Sequence, residues 1–145
     1  MESEKPNLPT AIAFKGSSFA HVSSKSLTFY DNQENLRHEG LPQDDFGGIT
    51  FLRLSKVAER AFCASCHAPL VMHYLHMGDG MDLTLGSVDE ASLKDDEAKE
   101  AFKLKQHIFV SQKAWWYDVE KDGIPVHDRF TGAFDVTVKA SEGKE

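Results

Sequence analysis

The apolar residues of this chain come in short runs that clusters of Gly, Ser, Pro and Asp interrupt again and again, and this spacing constrains the fold more than any other feature. Runs of about four to seven residues rich in Val, Ile, Phe, Tyr and Thr are strand signals, whereas a helix needs a longer stripe with a 3.6-residue period. Such runs fall at 11–14, 19–22, 27–30, 49–55, 70–76, 81–85 and 107–111. The run at 49–55 is the clearest strand, being bounded by glycines, and 81–85 follows Gly78-Asp79-Gly80 as the hairpin partner of 70–76. Between 31 and 48 the chain is polar, with Gly40, Pro42 and the Gly47-Gly48 pair, which predicts one short strand at most and then a long loop. Ser87-Val88-Asp89-Glu90 has the spacing of a capping box, so the charged segment that follows, up to Lys105, is expected to be helical. Val136-Thr137-Val138 reads as one more short strand. The expected class is mainly β.

A length of 145 residues suits one domain, and a chain of this size buries about two thirds of its unfolded surface without needing a staple. The expected division is an extended arm over 1–12, where Pro6 and Pro9 flank Asn7, a single domain over 13–138 and a frayed tail over 139–145. Sixteen Lys and Arg stand against 23 Asp and Glu, for a formal net charge of −7. No basic cluster is present, so neither nucleic acid nor an anionic membrane surface is an expected partner. No run approaches the length of a membrane span, and the polar start Met1-Glu2-Ser3-Glu4-Lys5-Pro6 does not resemble a signal peptide. A cytoplasmic location is expected.

The strongest chemical signal is Cys63-Ala64-Ser65-Cys66-His67. Two thiols separated by two residues can grip one tetrahedral zinc from a tight turn, and thiolates suit that cation. A structural zinc takes four protein ligands, and the sequence has no third cysteine. His67 is a candidate third ligand beside Cys66. Strand alternation sends His73 and His76 to opposite faces, the first toward the core and the second toward solvent near the turn. The same five residues also spell the haem-attachment pattern C-x-x-C-H, which calls for export, an axial ligand and helical surroundings. A redox dithiol would sit at a helix start, whereas Ala68-Pro69 and a strand follow this pair. Two buried, unpaired cysteines are the bland alternative.

Other candidates have simpler structural readings. His107 could line a pocket, but a structural role explains it better. Of Trp115 and Trp116, with Tyr117 beside them, one indole is expected in the core and the other at its rim. Asp79, Asp82, Asp89 and Glu90 lack the ordered loop that calcium requires and suit an exposed hairpin turn. The charges from Lys94 to Lys105 suit a solvated face.

The order of the motifs carries a resemblance. Arg60-x-Phe62-Cys63-x-x-Cys66, Pro69-Leu70, Gly86-Ser87-Val88-Asp89, His107-Ile108-Phe109-Val110-Ser111-x-Lys113-Ala114-x-Trp116 and Asp122-Gly123-Ile124-Pro125 follow one another as in the glutathione-dependent formaldehyde-activating enzyme family, which includes centromere protein V. Phe14-Lys15-Gly16-Ser17-Ser18-Phe19 is similar to the segment after that family's central cysteine motif, and the likeness spans residues 13–130. It implies an Mss4-like β-sheet fold with a C-x-x-C zinc knuckle and carbon–sulfur lyase activity on a glutathione-type small-molecule adduct. It implies Zn2+ as cofactor, with Cys63 and Cys66 as half of a structural site. The family's early C-x-C and its C-x-C-x-x-C, which holds a catalytic zinc, do not occur in this sequence. The likeness therefore implies a domain incomplete on its N-terminal side, and no catalytic residue is assigned. The Gly that usually follows the second Cys is replaced by His67. Ligand counting suggests a homodimer in which two chains each give Cys63 and Cys66 to one four-thiolate site. A non-catalytic binding or assembly module is the alternative function.

Overall fold

The short alternating runs become nine strands among the described residues, which are 10–14, 17–30, 35, 37–53 and 55–142 of this computed structural model. In chain order they are β1 (Thr10–Phe14), β2 (Ser17–Ser23), β3 (Thr28–Tyr30), β4 (Arg37–Glu39), β5 (Ile49–Leu52), β6 (Ala58–Cys63), β7 (Pro69–Tyr74), β8 (Gly80–Thr84) and β9 (Leu104–Ile108). Seven form one sheet in the order β5-β6-β7-β8-β2-β1-β9, and β3 with β4 makes a two-stranded ribbon. All pairings are antiparallel except β1 with β9, which is parallel. Two helices, α1 (Asp96–Ala101) and α2 (Gly132–Glu142), accompany the strands. The chain is mainly β. Among the described residues no helix is long and apolar enough to cross a membrane.

The central strands are buried on both faces. On one face Phe19, Met72 and Tyr74 meet Phe130 and the α2 residue Phe134. On the other, Ala61, Val71 and Met81 are covered by Leu27, Phe29 and Leu41. Met81 is 1% exposed at the centre of that second layer. Truncating such a side chain to Ala costs about 2–5 kcal/mol.

Several segments depart from the sequence expectations. Strand β6 has no clean alternation in sequence because Glu59 and Arg60 interrupt it. It forms with Glu59 opposite His73 in register, where the carboxylate has a hydrogen-bond partner in the imidazole at 2.9 Å. The charged segment after Ser87 is not one helix. It makes a single turn over Glu90–Ser92 and then the six-residue α1, where the Asp95 carboxylate accepts the Ala98 N–H at 2.7 Å. Its apolar stripe is too thin to hold more. Strand β9 begins three residues before the expected run and stops at Ile108, because Phe109 takes a left-handed backbone (φ 58°). Residues 136–138 are not a strand but part of α2, whose Phe134 and Val138, four apart, face the core. The expected arm lies outside the described residues up to residue 9, and from Thr10 the chain is strand. The expected tail is helical to Glu142 and beyond that lies outside the described residues.

Candidate functional site

Cys63 closes β6, and the turn Ala64-Ser65-Cys66 returns the chain to β7 beside the edge strand β5. Three backbone bonds fix that turn. The Cys63 N–H donates to the Ala68 carbonyl at 3.0 Å, the His67 N–H to the Cys63 carbonyl at 2.9 Å, and the Ala64 N–H to the Gly48 carbonyl at 2.7 Å. His67 has φ 60°, a left-handed conformation that a side chain with a Cβ disfavours. The Cys63 sulfur accepts the backbone N–H groups of Cys66 and Ser65, which holds its pKa below that of an ordinary thiol. Both thiols are free, Cys66 exposed and Cys63 partly so.

The turn thus presents two accessible thiols three residues apart, with the Cys63 pKa held down by backbone N–H groups. The pair lies on a hairpin turn rather than at a helix N-terminus, and neither cysteine is buried. Among the described residues no group of three or more His, Cys, Asp or Glu is placed to hold one ion, so neither His67 nor another described side chain joins the pair. His73 lies on the sheet with Nδ1 2.9 Å from Glu59 Oε1 and Nε2 3.1 Å from the Gly78 carbonyl. His76 does not face solvent. The chain turns tightly over Leu75–Met77 and lays its ring against Phe134, centroids 5.4 Å apart, with both ring nitrogens buried and unpartnered among the described residues.

A second constellation escaped sequence reading. Arg60 is opposite Met72, Met72 opposite Asp82, and Asp82 opposite His21, so the four form one row across β6, β7, β8 and β2. His21 Nδ1 is 2.9 Å from Asp82 Oδ1. That bond raises the His21 pKa, against the lowering effect of burial. Asp82, expected on an exposed turn, is a strand residue 8% exposed, because alternation in β8 puts it on the face that α2 covers. Tyr74 lies on the same face, its pKa raised first by burial and then by the Asp82 charge. A cavity of about 230 Å³ is lined by three of these residues, His21, Met72 and Asp82, and by Phe130 and Phe134. The missed signal was Phe19-Ala20-His21, where His21 shares a strand face with an aromatic core residue.

The remaining candidates are structural or exposed. His107 is 3% exposed and its Nε2 is 2.7 Å from Asp122 Oδ2. Asp122 also accepts the Ile124 N–H, and these two bonds, the backbone one first, hold its pKa below the usual carboxylate value. Neither indole is core: Trp115 is 87% and Trp116 72% exposed, packed edge to face on each other at 5.6 Å. Most of the area of both rings is left exposed. Comparison with models of protein families, with curated proteins and with solved structures finds no match.

Proposed function

We propose that this chain is a zinc-binding domain of the formaldehyde-activating type, with an Mss4-like arrangement of strands, whose chemistry belongs with carbon–sulfur lyases acting on glutathione-type thioadducts. The turn at Cys63 and Cys66 carries the reading. The Cys63 sulfur already accepts two backbone N–H groups, and His67 already sits in the left-handed conformation. A metal could therefore be taken up without rebuilding the turn, which keeps the ordering cost of binding low. Zinc held there would cross-link the hairpin as a structural centre. The lyase assignment rests on the order of motifs. The C-x-C-x-x-C that the resemblance gives to the reacting zinc does not occur in this sequence, so Cys63 and Cys66 serve the structural centre and not the reaction.

One observation favours a second reading, a non-catalytic assembly module. Among the described residues no third ligand joins the pair, and Cys66 is exposed beside the sheet edge. Two copies would each give Cys63 and Cys66 to one zinc across a two-fold axis.

Cobalt(II) used in place of zinc tests the metal site. Sulfur-to-metal charge-transfer bands that zinc displaces and that Cys63→Ser removes are expected. No thiolate bands in the intact chain would contradict the site. Incubation with formaldehyde and glutathione, followed by NMR, separates the two readings: accelerated turnover of the adduct supports the lyase, and a metal-loaded chain without turnover supports the assembly module.

A further inference from the structure

Two adjoining cavities, of about 230 and 420 Å³, lie over the same face of the sheet and share Met72, Tyr74 and Phe130 in their walls. The first is lined mainly by apolar groups and ends at His21 and Asp82; the second is lined by Arg60 and Arg129. Of these four ionisable side chains, His21 and Asp82 are tied to one another at 2.9 Å. Arg129 is tied to Asp135 at 3.2 Å, and that carboxylate also holds Lys139. Arg60 is left: half-buried, facing the cleft, with no ion pair or hydrogen bond among the described residues. A partly desolvated guanidinium without a partner is costly, and a carboxylate relieves that cost through two parallel N–H···O bonds.

We propose that this cleft binds a small organic monocarboxylate with an apolar body, the carboxylate on Arg60 and the body over Met72 and Tyr74, reaching toward the His21–Asp82 pair. The row of opposed residues sets the length. Arg60 and Asp82 are two strands apart, which is about 10 Å between their backbones. The volume sets the width: the smaller cavity exceeds the roughly 150 Å³ that admits a benzene ring. Charge sets the valence. A single uncompensated cation suits one negative group, and Asp82 at the far end repels a second. Tyr74 and Gln106 also line the smaller cavity, and neither side chain makes a hydrogen bond to a described residue, so an uncharged polar substituent there would find a partner. Arg60 and Cys63 are an odd number of residues apart on β6, so their side chains leave opposite faces of the sheet, and the site stands independently of zinc.

Calorimetric titration of the intact chain with phenylbutyrate, phenylbutanol and phenylbutylamine tests the proposal. The acid is expected to bind about tenfold more tightly than the alcohol, and the amine not to saturate. Arg60→Gln should abolish the preference for the acid, whereas Arg37→Gln, on β4 and outside both cavities, should keep it. Equal binding of acid and alcohol to the intact chain, or no saturable binding of the acid, would overturn the proposal without any variant having to fold. An undiminished preference in Arg60→Gln would overturn it equally.

Discussion

His21 and Asp82 face one another directly across the pairing of β2 with β8, the imidazole Nδ1 2.9 Å from the carboxylate. The residues are 61 apart in sequence, so the bond exists only once the sheet has its register. The bond to Asp82 raises the His21 pKa above its ordinary 6.5. A group whose pKa is raised on folding contributes stability that is complete below the unfolded value and fades as pH rises through the folded value. Wild type should therefore exceed His21→Gln by more at about pH 5.5 than at about pH 8.5. With His21 35% exposed, the difference at the lower pH should be about 1 kcal/mol. Urea titrations at the two pH values read it, and a gap that widens with rising pH would refute the assignment.

Gly80 makes room for that imidazole. A Cβ at position 80 would lie 2.9 Å from His21 Cε1, 3.1 Å from its Nε2 and 3.2 Å from Met77 Cε. Gly80→Ala should push the ring off Asp82 and cost about 1 kcal/mol, although Ala is otherwise the better strand residue. In a His21→Ala background the cost should disappear or reverse. Equal effects in both backgrounds would mean that the ring is not what Gly80 accommodates.

The left-handed residue of the cysteine turn gives a separate test. An L side chain pays about 1–2 kcal/mol in that conformation, and Gly gives part of this back through its freer unfolded chain. His67→Gly should be neutral or stabilising by about 0.5 kcal/mol, and His67→Val should be destabilising. Thermal unfolding of both variants decides it, and a Gly variant as weak as the Val variant would show that the turn does not need that conformation.

The α2 helix is held over the cleft by aromatic edges. Tyr74 meets Phe134 with centroids 5.1 Å apart at 83°, and Phe130 meets Phe134 at 4.6 Å and 86°. A double-mutant cycle on Tyr74→Leu and Phe134→Leu should give a coupling of about 1 kcal/mol. Additive effects would mean that the rings stabilise the helix only by the area they bury.

What could be read from the sequence was local. Cys63 and Cys66 were legible because three positions of chain place both thiols on one turn whatever surrounds it. Strands β5 and β8 were legible because their own residues alternate or branch and glycines bound them. The His21–Asp82–Met72–Arg60 row was not legible, since its register is fixed by strands far apart in sequence, and Asp82 by itself looks like a hairpin acid. Strand β6 stayed hidden because its charges at Glu59 and Arg60 make sense only opposite His73 and Met72. Residues 136–138 read as strand by composition, and their helix is decided by Phe134 and Val138 packing four residues apart. The two tryptophans misled for the opposite reason. Large aromatics usually drive burial, and here they lie outside the core on a turn of their own.

Non-denaturing mass spectrometry of the zinc-loaded chain, beside its Cys63→Ser and Cys66→Ser variants, tests the central claim most directly. The account predicts that the intact chain takes up zinc, whether one chain holds it or two share it, and that neither variant does. Chains that remain metal-free with zinc present, or variants that keep the metal, would contradict it.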